Sequence, residues 1–195
     1  KSGSVKKPMI REELFASRFY CLVEEMGAQL KRTAISVNVR ERLDFSCALL
    51  DRNGYLVANA PHIPVHLGAL GLCVRETIKL FPELKSGDIL ITNHPQYGGS
   101  HLPDITVIAP VFSQDGELLC FVANRAHHSE IGGISPGSMP AGSTNLAEEG
   151  TVISPTHLYH LVEKTAVCAI LWIREIILDV VATKNITRLQ CAPLV

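Results

Sequence analysis

The sequence predicts an α+β fold, with helices packed on largely antiparallel strands and hairpins, and three observations carry that expectation. Two stretches place apolar residues at three- and four-residue spacing, the period of a helix face. Two pairs of apolar runs close around the turn tetrapeptides Asp51-Arg-Asn-Gly54 and Ser113-Gln-Asp-Gly116. One further short apolar run, Ile89 to Thr92, is bounded by turn residues. At 195 residues, 47% hydrophobic and 19% charged, the chain has the material for one domain with a proper core.

In chain order, residues 1–10 are basic, small and unpatterned, as in a linker or frayed end, and with no initiating Met the chain reads as the interior of a longer polypeptide. A helix follows from about Arg11 to Lys31, its stripe formed by Leu14, Phe15, Phe19, Leu22, Val23, Met26 and Leu30. Thr33 to Asp44 is a polar connection of high charge density, and a loop leading into a strand in this way can carry ligand contacts. Phe45 to Leu50 and Tyr55 to Ala58 form the first hairpin. In Pro61-His-Ile-Pro-Val-His66 the two prolines exclude a regular helix, so His62 and His66 brace a loop or line a pocket, with metal binding by either as the lesser reading. A second amphipathic helix spans Leu67 to Phe81 and stops at Pro82.

The strand at Ile89 ends in Asn93-His-Pro-Gln-Tyr-Gly-Gly-Ser100, where Gly98 and Gly99 let the backbone turn tightly and deliver His101. Ile105 to Phe112 and Leu118 to Ala123 make the second hairpin, and Ile131 to Thr144 is a long Gly/Pro/Ser loop placed to act as a substrate-facing lid, in which Gly132 and Gly133 could offer oxyanion donors. These elements give a main unit over residues 11–156 and a divergent or truncated tail over 157–195. The apolar part of that tail is interrupted by Arg174, Glu175 and Asp179, so it is no membrane span.

Several function classes are excluded. With 18 basic and 19 acidic residues, net charge −1 and no basic stripe, nucleic acid is not an expected partner. No G-x-x-x-x-G-K-[ST] or G-x-G-x-x-G occurs, so the chain carries no standard nucleotide-binding loop. Six scattered cysteines with no C-x-x-C pair read as reduced thiols of a cytoplasmic protein.

The chemistry concentrates in His101-Leu-Pro-Asp104 and His127-His-Ser-Glu130, at the open end of the second hairpin. A turn centred on Gln114 and Asp115 sets Asp104 opposite Arg125, with His127 its diagonal neighbour on the same face, Cα atoms roughly 7–8 Å apart. Pro103 interrupts the strand, which lets His101 turn to the same point. Two imidazoles and a carboxylate suit a divalent ion (Mn, Zn or Fe) and leave positions open for water and substrate. The other reading is a set of capping and loop-bracing groups. Asn93, His94, Asn124, His128 and Glu130 add polar atoms to orient such ligands.

These residues also resemble a known family. Glu41-Arg-Leu-Asp-Phe-Ser-Cys-Ala48, Ala60-Pro-His-Ile-Pro-Val-His-Leu-Gly68, Gly87-Asp88, Gly98-Gly-Ser-His-Leu-Pro-Asp104, Ala126-His-His128, Gly132-Gly133 through Pro136-Gly-Ser-Met-Pro140 and Glu149-Gly150 look like the N-terminal part of the hydantoinase B family, over roughly Glu12 to Pro155. Within it, Leu14-Phe15 and Asn93-His-Pro95 are most similar to ATP-dependent 5-oxoprolinases. The resemblance implies a hydrolase of cyclic amide C–N bonds in which a hydantoinase A-type subunit or domain uses ATP to phosphorylate the amide oxygen. This region then acts on the activated intermediate to give glutamate.

It also implies a metal held by His101, Asp104 and His127, with His128 or Glu130 moving the proton, and work in an oligomeric assembly. N-methylhydantoinase and acetone carboxylase subunits share the scaffold and are alternative readings, as is a truncated, inactive chain. Two departures stand out. Ser129-Glu130 replaces the usual Ala-Asp after the histidine pair, and from about His157 no family pattern is recognisable.

Overall fold

A computed structural model describes residues 6–60, 63–129, 131, 133–135 and 140–158 of the chain. Its first helix, α1 (Lys6–Thr33), begins five residues ahead of the expected start at Arg11. Pro8 sits in the first turn, where the missing N–H has no intrahelical partner to lose, so the basic segment continues the helix upstream. Leu22, Val23 and Met26 are the buried edge of the stripe. The polar connection after it contains a single turn, α2 (Val37–Arg40), that buries Asn38 and Val39.

Strand β1 (Phe45–Asp51) and strand β2 (Leu56–Asn59) form the expected hairpin. Asp51 closes it, its Oδ1 accepting the N–H groups of Asn53 and Tyr55 at 2.9 and 2.8 Å.

The prolines do not exclude a helix at the next element. Helix α3 (Pro64–Ile78) starts on Pro64 itself, with Ile63 as N-cap, because the first helical position needs no N–H donor and favours the φ that proline fixes. His66 therefore lies in the first turn of a helix rather than in a loop, and His62 lies outside the described residues.

Strand β3 (Leu90–Thr92), the 3-10 turn Pro95–Tyr97, strand β4 (Asp104–Phe112), strand β5 (Leu118–His127), the short helix α4 (Leu146–Glu149) and strand β6 (Thr156–His157) follow. The strands pair antiparallel throughout in the order β2-β1-β5-β4-β3-β6. This is the α+β architecture that the sequence predicts.

The sheet is buried on both faces. Phe45, Cys47 and Leu49 of β1, with Ala109, Val111 and Val122, pack with Leu22, Val23 and Met26 of α1. Ala48, Leu50, Ile108, Phe121 and Ala123 pack on the other face with Leu70 and Val74 of α3. Side chains alternate along a strand, so even positions of β1 and β4 and odd positions of β5 share the α3 face. That face carries Ser46, Asp104, Thr106, Arg125 and His127 at one end of the sheet.

Candidate metal centre

Asp104 opens β4 and His127 closes β5, and the ladder pairs them directly. The hairpin loop is one residue longer than the turn centred on Gln114 and Asp115 requires, and a bulge adds a second displacement. The hairpin loop is Gln114-Asp-Gly116, with Ser113 N–H donating to Glu117 O at 2.8 Å and Gly116 at φ 82°. This is the three-residue loop that a left-handed glycine completes. Pairing then slips by a residue between Val111 and Phe112, leaving Leu119 unpaired on β5. Each shift alone would move His127 to the opposite face; together they restore the face and convert a diagonal neighbour into a direct partner.

The carboxylate of Asp104 is fully buried and accepts from both imidazoles. His127 Nδ1 lies 2.8 Å from Oδ1, and His101 Nδ1 lies 3.0 Å from Oδ2. The turn that brings His101 round is closed by Asp104 N–H donating to His101 O at 2.9 Å, with Pro103 inside it. The two rings stand edge to face, centroids 6.5 Å apart. Burial pushes the Asp104 carboxyl up, but the hydrogen bond from His127, the contact with His66 and the neighbouring charge of His66 and His101 together hold it well below the ordinary carboxylate range.

One donor atom from each of His101, Asp104 and His127 lies within 4.8 Å of the other two. An ion about 2.1 Å from each of three such donors holds neighbouring ligands roughly 3.0–3.4 Å apart, and the two nitrogen–oxygen separations present here, 2.8 and 3.0 Å, come near that range. The donor set, two neutral nitrogens and one anionic oxygen, suits Zn, Mn or Fe. Ligation by all three residues displaces the protons the imidazoles now share with the carboxylate.

Two residues join the cluster that sequence reasoning did not assign to it. His66, 2% exposed, turns Nε2 toward Asp104 Oδ1 at 3.6 Å and Asp44 Oδ1 at 3.9 Å. Ser46 Oγ donates to Ile63 O at 3.0 Å and so stands as acceptor for His66 Nδ1–H at 3.4 Å, which directs Nε2 to the carboxylates. Asp44 is held at both ends of its backbone, N–H to Asn38 O at 3.0 Å and C=O from His127 N–H at 2.9 Å. It follows Leu43, whose φ of 56° is the left-handed conformation that costs an L-residue about 1–2 kcal/mol. Backbone strain of this kind persists where the surroundings over-determine it.

The remaining candidates fall elsewhere. His128 is half-buried just beyond β5 and gives its N–H to Pro103 O at 2.8 Å, outside the ligand triad. Glu130 and Gly132 lie outside the described residues. A Cβ on Gly133 would sit 2.8 Å from Glu148 O, so that glycine backs onto α4. His94 caps the 3-10 turn, its Nδ1 accepting Gln96 N–H at 3.1 Å. Asn93, fully buried, donates to Leu102 O and Thr151 O, both at 2.8 Å, and accepts from Ile153 N–H at 2.6 Å, tying the β3–β4 and α4–β6 connections together. Among the described residues, no helix is long and apolar enough to cross a membrane.

Comparison with known proteins adds an independent line. Residues 9–183 match the family described as Hydantoinase B/oxoprolinase. The chain is 60% identical over 141 residues to the 5-oxoprolinase of Saccharomyces cerevisiae, covering 72% of this chain and 11% of that protein. It is 55% identical over 157 residues to 5-oxoprolinase 1 of Arabidopsis thaliana, covering 80% and 12%. In fold it is similar to a nucleotide-free acetone carboxylase structure, TM-score 0.79 at 24% identity, over 92% of this chain and 27% of that one. The chain thus spans about a tenth of the length of these two curated relatives.

Proposed function

Since the chain belongs to the hydantoinase B/oxoprolinase family, we propose that it is the B-type region of a 5-oxoprolinase-like, ATP-dependent hydrolase of cyclic amides. A hydantoinase A-type subunit or domain binds ATP and phosphorylates the amide oxygen of 5-oxoproline. The B-type region receives the activated intermediate and carries it to glutamate. The working protein is a cytoplasmic oligomer that includes the A-type partner, with neither nucleic acid nor membrane as a partner.

The observation that carries this reading is the meeting of His101, Asp104 and His127 at the ends of two paired strands, in a chain 60% identical over 141 residues to a 5-oxoprolinase. A divalent ion (Mn, Zn or Fe) held by these residues would supply a Lewis acid beside the phosphorylated imidate and a bound water of lowered pKa. Asp104, bonded to both rings, gathers them at one point before the ion binds. His66 and Asp44 line the same end of the sheet and set its charge. His128 and Glu130, directly after His127, are the groups proposed to pass a proton to the departing ring nitrogen.

Elemental analysis of the purified chain, beside a variant with His101, Asp104 and His127 all replaced by Ala, tests the site. Stoichiometric metal in the first and none in the second is expected, with ATP-dependent release of glutamate from 5-oxoproline only where these residues stand in a complete B-type region joined by its A-type partner, the chain by itself being inactive. A folded chain that holds no metal in either form overturns the proposal.

A further inference from the structure

We propose that Arg125 is a positioning residue for His101, its guanidinium clamping the Gly98–Ser100 segment so that the following imidazole is set against Asp104. The inference rests on reading His101, Asp104 and His127 as the metal centre. Arg125 lies two residues before His127 on the same face of β5 and is fully buried. Its three hydrogen bonds all end on uncharged oxygens. Nε donates to Thr106 Oγ1 at 2.8 Å in β4, Nη1 to Ser100 Oγ at 3.0 Å, and Nη2 to Gly98 O at 2.9 Å.

Burying a guanidinium is costly unless its donors are well bonded. The tie from β5 to β4 does not need one, because ladder hydrogen bonds already join those strands. What the charged fork reaches beyond the ladder is the Gly98 carbonyl and the Ser100 hydroxyl, held together in one plane as a planar guanidinium can do and a lysine cannot.

The clamped segment is also wedged from behind. Gly98 sits at φ 80°, and a Cβ there would lie 2.7 Å from the backbone N of Cys73 in α3, while a Cβ on Gly99 would run into the backbone of Asn93. Behind the segment lie α3 and Asn93, and in front lies Arg125; His101 is its next residue. Because β5 supplies both Arg125 and His127, one strand sets the positions of both imidazoles on Asp104.

Amide hydrogen exchange and Co(II) binding on the full chain, read for Arg125→Lys and Ser100→Ala, test this. Gly98, Gly99 and Asp104 have bonded amides, to Pro95 O, His94 O and His101 O at 3.1, 3.2 and 2.9 Å. In Arg125→Lys their exchange is expected to quicken about tenfold or more while β1 stays protected. The Co(II) dissociation constant is expected to rise about tenfold or more, with a changed visible spectrum, the range typical when a group orienting a metal ligand is lost. Ser100→Ala, which removes one of the three bonds, should show both effects at a few-fold.

Unchanged exchange at residues 98–104 in folded Arg125→Lys overturns the clamp. Quickened exchange with unchanged Co(II) affinity and spectrum overturns its role toward the metal. If Arg125→Lys does not fold, Ser100→Ala decides by the same two readouts. A wild-type chain that binds no Co(II) defeats the metal reading itself, and the exchange data then still decide whether Arg125 holds the loop.

Discussion

Asp104 and His127 face each other across the β4/β5 ladder with Oδ1 and Nδ1 2.8 Å apart. The N–H of His127 is committed to Asp44 O and that of His128 to Pro103 O, which makes this a non-hydrogen-bonded pair, the position in an antiparallel ladder where facing side chains come closest. The polar triad is therefore set by strand pairing, and only His101 depends on a loop.

Replacing Asp104 with Asn keeps the shape and removes the charge. One imidazole keeps its acceptor, and the other must change tautomer to meet an amide N–H. The variant should lose divalent metal affinity by at least about 100-fold while unfolding in urea at a cost of about 1–3 kcal/mol. Metal affinity within a few-fold of wild type would show that Asp104 is a structural carboxylate only.

How the hairpin was legible, and where it was not, follows from the period of a strand. The apolar runs on either side of Ser113-Gln-Asp-Gly116 announce a hairpin, and the alternation puts Asp104 and His127 on one face. Turn length and bulges each shift register by single residues and leave little mark in the pattern. Nothing about Leu119 distinguishes it from the paired residues around it, yet its bulge sets which residue faces Asp104.

Asn93 carries three hydrogen bonds to backbone groups of Leu102, Thr151 and Ile153 from a fully buried position. Truncation to Ala leaves those groups unsatisfied in the interior, and the expected loss is about 3 kcal/mol. Amide exchange at Ile153 should quicken most, since its N–H loses its acceptor. Equal protection at Ile153 in the variant would mean that another group takes over the contact.

Gly98 is left-handed and presses on α3. Gly98→Ala adds a Cβ against the Cys73 backbone and an unfavourable φ, and should cost about 2 kcal/mol or more. Thermal unfolding beside Gly116→Ala separates the two effects. Gly116 has a similar φ of 82° with open space around it, so its substitution carries the φ penalty alone.

The site's second layer was less legible than its first. His101, Asp104 and His127 stand in short clusters of ligand-type residues, whereas Asp44 and His66 reach them from separate elements. Pro64 read as a helix breaker conceals that His66 lies in the first turn of a helix whose N-terminal end faces β1, and proline at a first helical position is the one placement that reading overlooks. Asp44 lies in a charge-rich connection, where only the left-handed Leu43 singles it out, and backbone conformation is not written in residue type.

The thiols give a pH test clear of the site. Burial pushes Cys47 up to about 12 from an ordinary 9.0, and Cys120 likewise to about 12, because a thiolate is poorly solvated in the sheet's interior. A folded-state pKa above the unfolded one contributes stability that is complete below the unfolded value and is lost as pH rises. The loss should therefore begin near pH 9 and run to about 12, at up to about 1.4 kcal/mol per pH unit from Cys47. Lysines and tyrosines titrate in the same range, so the measurement is the difference between wild type and Cys47→Ala in urea unfolding at pH 7, 9 and 10.5. The cost of the substitution should shrink as pH rises. In the same samples at neutral pH, a thiol reagent followed by peptide mapping should mark the exposed Cys21 in the folded chain, and Cys47 and Cys73 only after unfolding. A pH-independent difference, or early labelling of Cys47, would mean that the strand pair around it opens well below the global unfolding free energy.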